Sequence, residues 1–527
     1  MVDTKREIER KFEFSTAKQT RRGVPDLTGT AAVAAVTDQG TVHLDAVYYD
    51  TPDQRLAADG LTLRRRTGGA DAGWHLKLPV APGVRDEITA PLSDTVPGPL
   101  AALLRSRIRD TPLEPQVRLV SSRKVSHLLD ADGALLAELS TDAVRAWGSP
   151  RTESGGCAET TAAWTEVEVE LADGADPALL DAVEKKFRKA GLLVSAAPSK
   201  LARALAETSA EPPPRPLGGG PEGTAGAYVL SYLREQRDTL ISQDPAVRRG
   251  LPDSVHQMRV ATRRLRSAFK TYRRILDPAE TGPLGAELRW LAAELGVDRD
   301  QEVLLERIQA RLDELPRTLQ LGPVRGRLKV WNTARRTGSR RAALAALDSR
   351  RYVALLDALD TLLADPPLQK AAGRPARATL PATVLGDYAR LAGRVEGALA
   401  MEPGHDRDLA LHEARKAAKR ARYAAEAAAP ALGKPARRLA EAVQAVQTLL
   451  GDHQDGVVAR DALRGLAVQA AGAGESAFTW GVLYAREEAL SERGERELPE
   501  VWAAASAPAL ALRTAAGARP AGGPGAA

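Results

Sequence analysis

The order of apolar and polar residues divides the chain into two textures. Up to about Ser209, short segments alternate apolar and polar side chains with a period of two: EIERKFEF, LTLRRR, WHLKLP, LLAELSTDAV and WTEVEVEL, set apart by Gly, Pro and Asp. Such alternation, rich in Val, Leu, Thr and Trp, predicts strands, and several in succession predict an antiparallel sheet or barrel. A helix is expected over residues 176–190, with a proline in its first turn. Residues 145–163 read as a long polar loop where a short hairpin turn would suffice. After Thr224 the chain turns to long Ala/Leu/Arg/Glu segments broken by Pro and Gly, which predict helices. Between the two textures, SAEPPPRPLGGGPEG has the composition of a linker, and the closing AGARPAGGPGAA that of a disordered tail. The expected division is 1–210, a linker over 211–223, a helical domain over 224–495, and a C-terminal segment over 496–527.

The helical half repeats itself. VHQMRVATRRLRSAF from Val255 matches LHEARKAAKRARYAA from Leu411. About forty residues after each comes a second matching piece, with Leu295, Gly296 and Asp300 in the first copy and Leu450, Gly451 and Asp455 in the second. Two matches in the same order at nearly the same spacing predict two similar helical units about a pseudo-twofold axis.

Composition adds bounds. Of 527 residues, 44% are hydrophobic and 27% charged, as in globular proteins, so the length predicts roughly two to four domains. Aromatics are 4%, which leaves packing to Leu, Val and Ala. The net charge of +6 suits an anionic partner without identifying one. A single cysteine, Cys157, cannot form an internal disulfide, and no Cys/His cluster has zinc-ligand spacing. The N-terminus lacks the apolar stretch of a secretory signal, and no run approaches the ~18–20 apolar residues of a membrane helix. A cytoplasmic protein with no membrane partner is expected.

Strand parity brings out the chemistry. Residues two apart on a strand share a face, so Glu7, Glu9 and Lys11 stand together, opposite Ile8 and Phe12. Arg64 with Arg66, His75 with Lys77, Arg85 with Glu87, Ser121 with Arg123, Glu138 with Asp142, and Glu166 with Glu168 and Glu170 repeat the pattern. Any one of these could be the solvated face of a half-buried strand. Three glutamates on one face repel, however, and a counter-charge or metal relieves them. A barrel lined by both carboxylates and Arg/Lys suits one kind of guest: the cations bind phosphate oxygens, and the carboxylates hold a divalent metal bridging to the same phosphates.

These residues resemble a known family. E-I-E-R-K matches the ExExK signature of CYTH domains, the triphosphate tunnel enzymes, and the match continues in order through LRRR, Lys77, Arg85 and Glu87, Arg123, Asp142, EVEVEL and SKLARAL with Lys200. The resemblance implies an eight-stranded antiparallel closed barrel with flanking helices. It implies that Glu7, Glu9, Asp142, Glu168 and Glu170 hold Mg²⁺ or Mn²⁺, and that Glu7, Glu9 and Lys11 serve catalysis. Arg64, Arg66, Lys77, Arg85, Glu87, Arg123 and Lys200 are implied as substrate-binding residues.

In the helical half, Arg259, Arg263, Arg264 and Arg266 follow His256 at offsets that Arg415, Lys419, Arg420 and Arg422 repeat after His412. At ~100° per residue, offsets 0, 3, 7 and 10 fall within about an 80° arc, giving each copy a basic stripe headed by a histidine. Beyond the first stripe, the next helix is expected to add Lys270, Arg273 and Arg274. A solvated helix face would mix charge signs, whereas these stripes are almost all positive and are duplicated in register. The pattern resembles the CHAD domain, which implies two four-helix bundles around a basic cavity and a polyphosphate partner. Aromatic platforms for stacking bases are sparse here, which disfavours nucleic acid. Three activities stay open: metal-dependent hydrolysis of inorganic triphosphate or a related triphosphate; a polyphosphate-binding, granule-associated protein with little turnover; and, ranked last for want of an adenine-reading motif, an adenylate cyclase.

Overall fold

The computed structural model describes residues 3–148, 160–208, 220–515 and 517. The chain forms two compact units, Met1–Pro214 and Arg215–Ala527.

The first unit holds nine strands: β1 (Asp3–Phe14), β2 (Ala35–Asp50), β3 (Thr62–Thr67), β4 (Gly73–Ala81), β5 (Val84–Ala90), β6 (Glu114–Leu129), β7 (Leu135–Gly148), β8 (Thr160–Leu171) and β9 (Leu192–Val194). Five helices accompany them: α1 (Ala17–Arg22), α2 (Arg55–Ala58), α3 (Gly98–Ile108), α4 (Ala178–Ala190) and α5 (Lys200–Thr208). The strand order β5-β4-β3-β2-β6-β7-β8-β1 closes through a β1–β5 pairing, so eight antiparallel strands form a barrel. β9 adds to the end of β1, opposite Phe12 to Phe14. The helix expected over 176–190 is α4, which begins after Pro177 and stops at Gly191 with φ 87°. The region expected to be a loop is strand at both ends: Arg145 pairs Ala163 and Gly148 pairs Thr160, because alternation carries on through Val144, Ala146, Trp164 and Ala162. Residues 149–159 and Cys157 among them lie outside the described residues.

The barrel reverses the usual arrangement of polar and apolar faces. Phe12, Val167 and Val169 point outward and pack beneath α4 with Leu180, Val183 and Phe187. Leu63, Trp74, Leu76 and Ile88 point outward beneath α2 and α3. The charged residues between them therefore face the interior. Toward one end, the inward face of β2, β6, β7 and β8 becomes apolar, with Ala46, Val117, Leu119, Val144, Ala146 and Trp164 packed on Leu201 and Ala204 of α5. A Cβ built at Gly148 would stand 2.8 Å from the Thr208 Cβ, so α5 lies against the strand interior there and stops that end.

The second unit holds ten helices among the described residues: α6 (Ala225–Arg249), α7 (Ser254–Thr271), α8 (Pro278–Glu294), α9 (Gly296–Asp313), α10 (Val324–Asp348), α11 (Arg350–Ala364), α12 (Ala376–Leu399), α13 (His405–Leu432), α14 (Lys434–Gly472) and α15 (Phe478–Ala515). The two sequence copies are α7 and α13, and their second pieces fall at the α8–α9 break and within the unbroken α14. The glycines occupy equivalent places: Gly296 lies under Arg259 and Gly451 under Arg415, with Cβ positions 3.2 and 3.7 Å from the guanidinium. The starts of α6 and α12 are joined reciprocally, Ala225 N–H donating to Arg374 O at 2.9 Å and Ala376 N–H to Gly223 O at 3.0 Å. One large core joins α6–α8 and α11–α13 to parts of α10, α14 and α15, and a smaller one joins α9, α10, α14 and α15. α15 continues past 495 and buries Leu498, Ala505, Ala509 and Leu512 in the large core.

Candidate phosphate-binding cavity and basic helical cluster

Inside the barrel is a cavity of about 340 Å³. Of the sequence-derived candidates, Glu7, Glu9, Lys11, Arg64, Arg66, Lys77, Arg85, Glu87, Arg123, Glu168, Glu170 and Lys200 all line it. They meet because β1, β3, β4, β5, β6 and β8 each turn one parity inward, while α5 delivers Lys200 at its first residue. Register places Glu9 opposite Glu170 and Lys11 opposite Glu168. Asp142, on the inward face of β7 opposite Arg123, is fully buried and does not itself line the cavity; it accepts two bonds from Arg123 at 2.9 and 2.8 Å.

Buried charge here is matched by opposite charge. Lys77 Nζ donates to Glu7 at 2.6 Å, and Lys11 contacts Glu168 and, at 3.3 Å, Glu9. Lys200 Nζ reaches Glu166 and Glu168 at 2.6 Å and Asp142 at 3.0 Å. Burial pulls the Lys200 ammonium down, but Asp142, Glu168 and Glu166 outweigh it and raise its pKa well above the lysine range. Burial pushes the Glu7 carboxyl up to about 7, helped by Glu87 and Glu170 and opposed by Lys77. Glu87 is held far below the carboxylate range, since His75, Lys77 and Arg64 overcome its burial. Burial lowers Arg66 to about 9, with Arg64 and Arg123 adding repulsion. Three guanidinium groups thus share one wall, and a phosphate oxygen there would relieve their repulsion.

Sequence reasoning left out several lining residues: Lys5, Tyr48, Thr62, Asp71 and Ser199. Lys5 has the parity of Glu7 and was open to the same argument. Tyr48 and Asp71 carried no motif; Asp71 lies in the β3–β4 turn and pairs with Arg66. Glu166 completes a buried group with Asp142 and Glu168, whose oxygens lie within 4.8 Å of one another. By ligand type this oxygen-only donor set fits a hard divalent cation, but Lys200 Nζ stands 2.6–3.0 Å from all three acids, so a metal would have to displace the ammonium toward the lumen. A second such group, Asp408, His453 and Glu495, is already engaged: Arg460 reaches Asp408 at 3.4 Å and Arg407 reaches Glu495 at 3.2 Å.

The basic stripes of the helical unit divide. Arg259 and Arg263 from α7 surround Lys419 of α13 together with Arg415, and burial with this repulsion lowers the lysine to about 7. Arg415 reaches Asp455 at 3.5 Å, and Arg259 donates to Gly296 O at 3.3 Å. His412 Nδ1 lies 2.6 Å from Gln454, while His256 is half-buried on α7. Arg264 and Arg422 leave this cluster and converge on Glu426, over the Tyr423 ring. Arg420 turns to Asp387 and Thr271, and Arg266 approaches Arg289. The side chain of Asp300 lies outside the described residues.

A closed, polar-lined barrel followed by a duplicated basic helical unit defines a class of two-unit protein. Family models match both halves, CYTH domain over residues 5–205 and CHAD domain over 231–464. An uncharacterized protein of Mycobacterium tuberculosis, matched in two strains, is 42% identical over 508 residues, covering 93% of this chain and 94% of the relative. The chain belongs to the CYTH–CHAD family. Among solved structures, PptA from Streptomyces chartreusis is similar at 24% identity and TM-score 0.45, covering 53% of this chain and 99% of its own. A putative adenylyl cyclase from Hippeastrum with a dominant triphosphatase activity is similar at 16% identity and TM-score 0.22, covering 38% and 95%. The CYTH family includes triphosphatases and adenylyl cyclase-like enzymes; its tunnel fold binds triphosphates, and its tunnel enzymes use divalent metals. No helix among the described residues is long and apolar enough to cross a membrane.

Proposed function

We propose that the barrel hydrolyses inorganic triphosphate, and that the helical unit binds polyphosphate through the cluster around Lys419. The observation that carries the first part is a cavity in which eight lysines and arginines and a set of carboxylates face one another across the lumen. Lys11, Arg64, Arg66, Lys77, Arg85, Arg123 and Lys200 would grip the phosphate oxygens, all but Arg85, which now donates to Pro198 O at 2.6 Å, exchanging carboxylate partners for the substrate. Glu7, Glu9, Asp142, Glu168 and Glu170, with Glu166, would hold Mg²⁺ or Mn²⁺. When bound, a divalent cation supplies neutralisation of phosphate charge. Glu7 and Glu9 would orient a water whose oxygen attacks a terminal phosphorus; the phosphoanhydride bond breaks and diphosphate leaves with phosphate. The stopped end supports a short substrate, since a long chain cannot thread past α5. For the second part, three arginines from both sequence copies gather around Lys419 with Asp455 as counter-charge. A protein with this partner would act in the cytoplasm near polyphosphate stores.

The test is incubation of the pure protein with Mg²⁺ or Mn²⁺ and triphosphate, polyphosphate or ATP, followed by product identification. Phosphate release from triphosphate is expected, with Glu9→Gln reducing it by at least about a hundredfold while the melting temperature stays close to wild type. Polyphosphate binding without turnover of any substrate would instead favour a sensor, and cyclic AMP from ATP a cyclase.

A further inference from the structure

A second cavity, of about 330 Å³, lies on the helical unit between α7, α8, α12 and α13. Its cations are Arg266, Lys270, Arg273, Arg289, Arg390 and Arg420, and no carboxylate is among its lining residues. Arg390 and Arg420 are tied to the buried Asp387. The other four side chains have no hydrogen bond or ion pair among the described residues. Burial and the neighbouring Arg289 and Arg263 lower the Arg266 pKa, and burial with Arg266, Arg289 and Arg420 lowers that of Lys270. The remaining wall is carbon: Phe269 and Pro278, with Thr281, Gly282, Gly285 and Ala286 on one face of α8. A Cβ at Gly282 or Gly285 would meet nothing within 4 Å, so this face is open to a ligand.

The duplication supplies an internal control. Arg264 and Arg266 of α7 correspond to Arg420 and Arg422 of α13. Four residues beyond Arg422 stands Glu426, which pairs with Arg422 at 2.7 Å and Arg264 at 3.1 Å. Four residues beyond Arg266 stands Lys270, and the position matching Arg273 is Ala429. One half thus neutralises its arginines with a glutamate where the other half adds two cations. The tunnel, with carboxylates and cations mixed, fits a metal together with phosphate; this cavity, lacking carboxylates, fits an anion alone.

We infer that this cavity binds a phosphorylated organic anion, its phosphates against Arg266, Lys270, Arg273 and Arg289 and its flat carbon body on the Gly282–Gly285 face of α8. The inference stands apart from the tunnel reading and from the Lys419 cluster. The probe is 8-azido-ATP, photo-cross-linked to the full-length protein in EDTA, with the labelled peptides mapped; label in the barrel is thereby separated from label here. Saturable labelling of residues between Phe269 and Arg289 is expected, displaced by ATP at lower concentration than by inorganic triphosphate. Lys270→Glu, which copies the arrangement at Glu426 and so keeps a packing the fold already uses, should weaken labelling on the order of tenfold or more, a charge-assisted contact being replaced by repulsion. Gly285→Leu, a better helix former that changes no charge, should block it as well. Absence of saturable label at these residues overturns the site. Insensitivity to Lys270→Glu overturns the cation assignment. Equal displacement by inorganic triphosphate, with Gly285→Leu without effect, overturns the organic ligand class.

Discussion

Lys419 and Lys200 show opposite fates of a buried ammonium. Lys419, among Arg259, Arg263 and Arg415, falls from 10.5 to about 7. Between those values the unfolded chain holds a proton there that the native chain does not, so this residue makes stability rise with pH from about 7 to 10.5. Lys419→Met should therefore raise the melting temperature at pH 7, with the gain fading above pH 10.5; scanning calorimetry across that range checks it. A polyanion at the cluster would return the proton, so titrations at pH 8 in buffers of different ionisation enthalpy should show proton uptake that Lys419→Met removes. Lys200 is raised because Asp142, Glu166 and Glu168 surround it. Removing it leaves three carboxylates buried together, and Lys200→Met should cost about 3–5 kcal/mol in denaturant melts, with Mn²⁺ restoring part of the loss. These residues were open to sequence reasoning to different degrees. Glu7, Glu9, Lys11 and Lys200 sit in motifs, and strand parity alone put the first three on one face. Tyr48 and Asp71 reach the cavity from a long strand and a turn with no repeating pattern, so only tertiary placement reveals them.

At the scale of elements, periodicity was a good guide where one face is buried. α4 carries its apolar face as Leu179, Leu180, Val183 and Phe187, spaced as a helix requires, and both ends are marked, by Pro177 and Gly191. The strand alternation was as clear, but its meaning was inverted, since apolar residues here face outward helices rather than the barrel centre. The apolar stop formed with α5 was not readable, because Val144 and Trp164 look like ordinary strand residues until Leu201 and Ala204 are laid against them. The stripes on α7 and α13 were visible as charge, yet Glu426 and Asp387 redirect Arg264, Arg422 and Arg420, and those acids lie outside the stripes in sequence. Helix ends carry a further constraint. Gly226 donates to Ala372 O at 2.9 Å, and a Cβ there would stand 3.0 Å from the Ala372 Cβ and 3.2 Å from its carbonyl. Backbone cannot yield as a side-chain tip does, so Gly226→Val should destabilise the helical unit by about 1–3 kcal/mol. The same readout should show Gly465→Ala, which meets nothing within 4 Å, as neutral or stabilising.

At the scale of the molecule, each unit has its own core, and residues 220–515 expressed alone should unfold in a cooperative transition and bind long-chain polyphosphate with affinity that falls as salt rises. Titration of that fragment with polyphosphate and with RNA of similar charge tests both statements; equal affinity would reduce the surface to general basicity. The paired helix starts carry a consequence for ancestry. Ala225 borrows a carbonyl from the segment before α12, and Ala376 borrows one from the segment before α6, so each half supplies what the other lacks. A peptide bearing one copy would offer both the gift and the need to a second molecule of itself. The contact has the symmetry of a homodimer, from which tandem duplication of a half-length gene would yield the present chain. Once fused, the halves were no longer obliged to be identical, and the exchange of glutamate for lysine at positions 426 and 270 is a change that no true homodimer could have made on one side alone.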